Sequence, residues 1–262
     1  MGTLTHLFNI LLYQPLFNFL ILLYDYLPGH DFGIAVIFLT VSIKLIFYPI
    51  GAQAIRSQKT LSELQPKIQE VQNKYKNDRE KQAKAMMELY KEEKINPFSG
   101  CLPLLIQLPI LIALYRVFWK GLSPEELSLL YSFVPRPGMI NASFLGIVDL
   151  SKSTVTLINN NSSLLWPNVI LVLLAGITQF IQTKMVTPKT SKAAAKDGQM
   201  NQFSGMLQKQ MLYFFPVVTV FFLWKLPSAL ALYWVVTTVF TILQQYFLYR
   251  PRQGNKVAEI KS

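Results

Sequence analysis

Cysteine and histidine are nearly absent from this chain, and their scarcity excludes several kinds of site. The 262 residues include one cysteine, Cys101, and two histidines, His6 and His30. A single cysteine cannot form an internal disulfide. One cysteine and two widely separated histidines also do not make up any of the usual zinc ligand sets. We therefore expect no metal centre.

Charge is scarce as well, and most of it is positive. Charged residues make up 15% of the chain and hydrophobic residues 52%, with a mean hydropathy of +0.32. The 25 Lys and Arg outnumber the 14 Asp and Glu, which gives a formal net charge of +11. This balance is typical of a polytopic membrane protein. The cytoplasmic loops of such proteins collect Lys and Arg, so the net charge does not require a nucleic acid partner.

Basic residues are missing altogether before Lys44. The N-terminus thus lacks the basic region of a secretory signal peptide, and no small-residue cleavage site follows its first apolar stretch. A transit peptide rich in Arg and Ser is absent too. We expect the chain to enter its membrane by its own spans.

Residues 33–54 are the stretch around which the chain is organised. They read GIAVIFLTVSIKLIFYPIGAQA, long enough to cross a bilayer, with Lys44 as the only full charge. From the middle of such a helix, Lys44 lies about 15 Å from either end. A lysine there costs roughly 3 kcal/mol by insertion scales, and it usually faces a water-filled cavity. The alternative is a slipped register that places Lys44 nearer the interface. Pro49 predicts a kink in the second half of this span.

The segment before this span, residues 1–32, is apolar but repeatedly interrupted by polar groups. Pro15 would interrupt a spanning helix. We therefore favour an interfacial amphipathic helix over a true span. Pro28 and Gly29 then make the turn into the first span.

Residues 55–95 change character abruptly, with ten basic and seven acidic residues. Apolar residues recur at spacings of three and four, a pattern typical of paired helices. Asn77, followed by Glu80, resembles a capping box that starts a second helix. We predict an antiparallel helical hairpin in water. Its inner seam is predicted to consist of Leu64, Ile68 and Val71 against Ala83, Met87 and Tyr90. Its charged outer faces are either solvated surface or a docking surface.

Four further spans are predicted at about 97–119, 164–183, 211–226 and 228–248. Gln107 in the second span either bonds a neighbouring helix or faces the same wet cavity as Lys44. The loop at 120–163 is balanced in charge, whereas the hairpin, the loop after 183 and the tail 251–262 are basic. The positive-inside rule then puts the N-terminus outside and the C-terminus in the cytoplasm. The predicted fold is an all-α polytopic core at 33–250.

Four motifs resemble a known family. They are LYQPLFNFLILLYDYLPGHDFGIAVIFLTVSIKLIFYPI, LQPKIQEVQNKY, MMELYKEEKINPFSGCLPLLIQLPILIALYRVF and FFPVVTVFFLWKLPSALALYWVVTTVFTILQQ. Their order and spacing are similar to those of the YidC/Oxa-type membrane protein insertases from about residue 13 to 250.

The resemblance implies a five-span core around a hydrophilic groove that is closed on the outside. In the family, a positive residue in the first core span attracts the polar tail of a client while the client's apolar helix moves into lipid. This residue corresponds to Lys44. Thr40, Gln107, Tyr233 and Trp234 match the groove by position.

The resemblance also implies the setting. The expected location is the bacterial plasma (inner) membrane. The expected partners are newly made membrane proteins and the lipid bilayer, with the Sec translocon, the ribosome and the signal recognition machinery beside them. No direct nucleic acid partner, no cofactor and no enzyme activity are expected of a member of this family.

The chain departs from the family pattern in two respects. Lys44 stands where the family usually has arginine, which keeps the charge but loses the planar guanidinium fork. The sequence also shows no leading anchor with a large outer domain and only a short tail after Arg250, so we expect a near-minimal core.

The insertase function has two alternatives. An ion-coupled transporter would need acidic relay residues within the spans and an internal repeat, and the sequence shows neither. A chaperone that assembles helices without inserting them stays open.

Overall fold

The computed structural model describes residues 2–93, 96, 102–120, 123, 126–138, 140–187 and 199–249. The predicted basic tail at 251–262, the first residues of the predicted span at 97–119 and most of the loop after Thr187 lie outside the described residues. The fold is almost entirely helical. Its α-helices are α1 Thr3–Phe8, α2 Gln14–Tyr26, α3 Phe32–Ile46, α4 Tyr48–Glu63, α5 Gln65–Lys74, α6 Arg79–Glu92, α7 Leu102–Lys120, α8 Thr154–Asn159, α9 Leu165–Val186, α10 Gln199–Lys225 and α11 Ser228–Tyr249.

The N-terminal segment is helical without a break from Thr3 to Tyr26. A π-helical turn at Asn9–Tyr13 joins α1 to α2, and Pro15 lies in the first turn of α2. The expectation that Pro15 interrupts this helix is therefore wrong. A π-turn relaxes the hydrogen-bond ladder where the proline ring would otherwise clash and its missing N–H would leave a gap.

The first predicted span bends sharply instead of running straight from 33 to 54. Helix α3 ends at Ile46, α4 begins at Tyr48, and the two axes differ by 69°. Pro49 lies in the first turn of α4 and has no N–H to donate to the carbonyl one turn back. The predicted kink is present, and it divides the run into the apolar helix α3 and the more polar helix α4, whose buried side chains are Ala52, Ala54 and Ile55.

The polar hairpin consists of α5 and α6. Its seam contains Leu64, Ile68 and Leu89, with Val71, Met86 and Tyr90 packed against them. Met87 is 53% exposed and Ala83 is also exposed, so their predicted place in the seam is wrong. Helix α6 begins one residue later than predicted, and Met86 and Leu89 face α5 instead.

The N-cap of α6 is Asp78, not Asn77. Its carboxylate accepts a hydrogen bond from the backbone N–H of Lys81 at 3.1 Å. This bond and the nearby Lys81 ammonium lower the pKa of Asp78. Both residues can cap a helix, and the acid is preferred here because the helix N-terminus attracts negative charge.

The apolar core lies among α2, α3, α7, α9 and α11. Phe32, Leu39, Leu114 and Leu230 are among its fully buried side chains. Helices α9 and α10 approach closely at Gly176, where a Cβ atom would lie 2.5 Å from Val220 Cγ2. Small residues at such crossings let membrane helices pack closely.

The segment 120–163, called the outer loop here, covers one end of the bundle. Its described part contains a 3₁₀ turn at Glu126–Leu129, the two-stranded antiparallel hairpin β1 Ser143–Phe144 and β2 Val148–Asp149, and α8. Backbone N–H groups of Ser228 and Ala229 donate to the carbonyls of Lys152 and Leu150, each at 3.0 Å. These bonds occupy donors that the first turn of α11 would otherwise leave free.

Three helical stretches in the described residues are long and apolar enough to cross a membrane. They are Thr5–Tyr26, Leu165–Val186 and Ser228–Tyr249, and the bent pair α3–α4 makes a fourth if counted as one span. The count of five spans stays a prediction.

Candidate functional site: a polar pocket at the bend of the first span

Lys44 lies in the last turn of α3, two residues before the helix ends at Ile46. The predicted position near the middle of a straight span therefore needs correction, because the bend at Phe47 brings Lys44 to a helix end. Its ammonium still points into the bundle. Lys44 Nζ donates to Thr241 Oγ1 on α11 at 3.3 Å.

A pocket surrounds Lys44 where α3, α4, α7 and α11 meet. Its cavity volume is about 70 Å³, and its lining is Ile43, Lys44, Phe47, Ile50, Gly51, Ile106, Gln107, Ile110 and Gln244. A buried water needs roughly 10–15 Å³ of such space and a few polar partners. The pocket therefore has room for several waters among one ammonium and two amide side chains.

Gln107 and Tyr233 contact each other at this pocket. The Gln107 amide donates to the Tyr233 hydroxyl across the α7–α11 interface. Tyr233 is fully buried, whereas Gln107 is only partly buried and reaches the pocket wall. The structure thus unites the two alternatives for Gln107, since it bonds a neighbouring helix and lines the Lys44 cavity.

Gln244 closes the pocket on the side of the bend. Its amide donates to the carbonyl of Tyr48 at 3.2 Å. Gly51 on α4 faces it, and a Cβ atom there would lie 3.4 Å from Gln244 Oε1. A bare glycine backbone lets α4 pass close to this amide.

Three of the residues matched to the groove lie outside the pocket lining, and one of them, Tyr233, contacts it through Gln107. Thr40 is fully buried, and its hydroxyl donates to the Val36 carbonyl in its own helix at 2.6 Å. Trp234 turns toward α9, where its indole N–H donates to Gln179 Oε1 at 3.0 Å. Of the five, the structure brings Lys44, Gln107 and Tyr233 together.

Sequence reasoning missed Thr241 and Gln244, which complete the pocket. A signal for them exists in α11, where Tyr233, Thr237, Thr241 and Gln244 follow one another at intervals of four, four and three. That spacing places polar side chains in one line along a helix. A polar stripe in an otherwise apolar span predicts a wet or paired face.

No carboxylate lies among the described residues that line the Lys44 pocket. The sequence has no Asp or Glu in the runs 33–54, 164–183, 211–226 or 228–248. Among the described residues, no three His, Cys, Asp or Glu come together as a metal site would need. The pocket is thus a positively charged site of hydrogen-bonding groups inside an apolar bundle.

Comparison with known proteins identifies the family. The family described as 60Kd inner membrane protein matches residues 22–256. The chain belongs to this family. It is a membrane-integral protein of the bacterial inner membrane type.

Several curated bacterial proteins are similar to this chain over most of its length. A protein of Geobacter metallireducens named membrane protein insertase YidC is 38% identical over 239 residues, covering 91% of this chain and 37% of the relative. A protein of the same name from Geobacter sulfurreducens is 37% identical over 241 residues, with coverage of 92% and 37%. One from Methylobacillus flagellatus is 35% identical over 221 residues, with coverage of 84% and 33%. The chain spans about a third of the length of these relatives.

Proposed function

We propose that the protein is a membrane protein insertase. It takes the short polar tail of a client into the Lys44 pocket and releases the client's apolar helix into the bilayer. The observation that carries this proposal is the pocket itself, where Lys44, Gln107 and Gln244 meet inside an apolar bundle. The names of the relatives support the same function.

The charge of Lys44 would select the client's tail. An ammonium in a low-dielectric pocket with no carboxylate nearby attracts acidic or polar groups more strongly than it would in water. Waters in the pocket would shorten the dry path that a polar tail must cross. Tails with acidic residues should therefore gain most from the site.

The apolar surfaces of the bundle would receive the client's helix. Ile170 on α9 and Phe222 on α10 are 63% and 59% exposed, which is expected of side chains that contact lipid. A client helix that moves along such a surface exchanges water for lipid. The burial of its apolar area, about 25 cal/mol per Å², would supply the driving force without nucleotide hydrolysis.

The pocket would open toward the cytoplasm. Ile50 and Gly51 of its lining belong to α4, which leads directly into the basic hairpin. The opposite end is covered by the outer loop, which is bonded to the start of α11. With basic segments inside, the N-terminus would lie outside and the C-terminus in the cytoplasm.

The N-terminal helix would lie along the outer interface. Its length and composition also allow it to cross a membrane. Its contacts with the outer loop, however, are spread over about three turns. Tyr13 donates to Glu126 Oε2 at 2.6 Å, Asn18 accepts from the Tyr131 backbone at 2.6 Å, and Tyr24 accepts from the Asn141 backbone at 3.1 Å. A crossing helix would meet that loop only at one end.

The direct test is insertion into liposomes that contain only this protein. A client with one span and an acidic tail should become protected from protease in a protein-dependent manner. A helix-assembly chaperone would instead improve the folding of helices already inserted, with no protection of the tail. Addition of the Sec translocon or ribosomes would then measure whether those partners raise the yield.

Orientation has its own test. Single cysteines at Ser132 and Lys76, both exposed, can be placed in a Cys101→Ser background. An impermeant thiol reagent should label them from opposite sides of the membrane. Labelling from one side would contradict the proposed orientation.

A further inference from the structure

The β-hairpin of the outer loop ends in a turn whose side chains nothing in the described fold covers. The turn runs from Phe144 to Ile147, and the Ile147 N–H donates to the Phe144 carbonyl at 3.0 Å. Leu145 is 60% exposed and Ile147 is 54% exposed. By contrast, Val148 in the next position is only 7% exposed. We call Leu145, Gly146 and Ile147 the loop tip.

Leu145 has a backbone conformation that is unfavourable for leucine. Its φ is +52° and that of Gly146 is +73°. Two central residues with positive φ are the mark of a type I′ hairpin turn, which prefers Asn-Gly. A leucine there has a steric cost comparable in size with the gain from removing its side chain from water. Within the described structure this leucine obtains no such gain.

The position of the tip is fixed relative to the apolar helices. Phe144 lies across Gly33 in the first turn of α3, where a Cβ atom would be 2.2 Å from the Phe144 ring. Asp31 caps α3 through Ile34 N at 2.9 Å and also accepts from Leu145 N at 2.6 Å. The tip therefore lies level with the start of an apolar helix.

The hairpin runs outward from the centre of the bundle. At its base, Asn168 on α9 donates to the Asp149 carbonyl at 2.9 Å, and Ala229 on α11 donates to the Leu150 carbonyl at 3.0 Å. The strands then pass over α3 at Gly33, so the turn lies beyond α3 and away from α9 and α11. It reaches the rim of the bundle beside the first turn of α3.

The composition of the tip favours lipid over water. No Lys, Arg, Asp or Glu occurs between Arg136 and Asp149. Other large rings are exposed where helices meet the outer loop, with Trp119 at 58% and Trp166 at 70%. Tryptophan at helix ends is typical of the membrane interface.

We propose that the loop tip inserts Leu145 and Ile147 into the outer leaflet of the bilayer and anchors the outer loop to the lipid surface. The anchor is separate from the Lys44 pocket and does not depend on the proposed insertase function. Burial of Leu145 in lipid offsets the cost of its left-handed backbone. It also holds β1 and β2 against α3, over the outer end of the bundle.

A depth measurement tests this proposal. In a Cys101→Ser background, Leu145→Cys and Ser151→Cys each receive the environment-sensitive fluorophore NBD. The proteins are then reconstituted into phosphatidylethanolamine–phosphatidylglycerol vesicles. Ser151 is the matched control because it is exposed in the same loop, at the hairpin base. Ile147→Cys is a second probe of the tip in case position 145 tolerates no label.

The expected result is a blue-shifted emission at positions 145 and 147, quenched by lipids that carry a nitroxide near the headgroup and insensitive to iodide. The probe at 151 should show the reverse. Iodide quenching at all three positions would overturn the proposal. A different result would be shielding of positions 145 and 147 from both quenchers. If that shielding disappears when each vesicle holds a single protein, the tip contacts a second copy of the protein, and the proposal of a lipid anchor is overturned.

Discussion

Helix α11 carries polar side chains on two faces, and the two faces differ in whether they are closed by a neighbouring helix. On one face Thr238 donates to Thr178 of α9 at 2.8 Å and Trp234 donates to Gln179 at 3.0 Å. On the other, Thr241 accepts from Lys44 and Gln244 borders an open cavity. Similar side chains thus join two helices in one place and border a cavity beside Lys44 in the other.

The difference shows that polarity inside a membrane bundle is not in itself a sign of function. Thr178 and Thr238 are each almost fully buried, and their hydroxyls satisfy one another. Such pairs stabilise membrane helices modestly, by about 0.6 kcal/mol on average. A charge beside unfilled space, as at Lys44, is the arrangement that a structural role does not explain.

The helical hairpin α5–α6 shows the same contrast between a closed and an open face. Its disruption should have the largest effect on stability. Ile68 is 7% exposed in the seam, whereas Met87 is 53% exposed. Ile68→Asp places a carboxylate among apolar side chains and should destabilise the hairpin by roughly 3 kcal/mol or more. Limited proteolysis should then cut within 55–93 while the spans stay in the membrane, and insertion should fall.

Met87→Asp is the matched control. It introduces the same charge on the open face and should leave proteolysis and insertion unchanged. Equal sensitivity of the two variants would mean that α6 packs in another register.

The two faces of α11 can be separated with threonine-to-valine changes of equal size. Thr238→Val removes the buried pair with Thr178 and should lower the free energy of unfolding by about 0.5–1.5 kcal/mol, with little effect on insertion. Thr241→Val removes the partner of Lys44 and should leave stability nearly unchanged. It should instead reduce the insertion of clients with acidic tails by about two- to threefold. Thermal unfolding in detergent and insertion yield are measured on both variants. If the faces are assigned wrongly, Thr241→Val will lower stability and Thr238→Val will lower insertion.

The smallest effect on stability is expected at the outer end of the bundle, where the carboxylate of Asp149 is hydrogen-bonded but partly open to water. Burial raises the pKa of Asp149, but hydrogen bonds from Ser151 and Lys152 outweigh this effect and hold the pKa below its usual value. A lowered folded pKa contributes stability above the unfolded pKa of about 4, and this is lost as the pH falls through the folded value.

Asp149→Asn should therefore lower stability at pH 7 by less than about 1 kcal/mol. The difference from the parent should shrink as the pH falls below about 4 and vanish once the pH is below the folded pKa. A thermal unfolding series against pH measures it. A difference that grows toward acid pH would have the wrong sign for this carboxylate.

The elements of the fold that follow from local chemistry could be predicted from the sequence. The apolar runs at 164–183 and 228–248 became α9 and α11, because a long uncharged run has few alternatives to a helix. The kink at Pro49 followed from the missing proline N–H.

Features that depend on contacts far apart in sequence could not be predicted. Lys44 and Thr241 are 197 residues apart, so their bond is not visible in any local pattern. The place of Lys44 in the last turn of α3 was not foreseen, because it depends on where the helix breaks and on a bend of 69°. Met87 and Met86 are adjacent, and the choice between them depends on which face of α6 packs against α5.

The role of the open face depends on the charge of Lys44, and one measurement tests it most directly. Insertion of a single client, with either an acidic or a neutralised tail, is compared for Lys44, Lys44→Arg and Lys44→Met. The arginine variant keeps the charge and should insert both tails as the parent does. The methionine variant keeps an unbranched stem without the charge, and it should lose about tenfold on the acidic tail, equivalent to roughly 1.4 kcal/mol, and much less on the neutral one. If Lys44→Met inserts both tails as well as the parent, the charge at this pocket has no part in insertion.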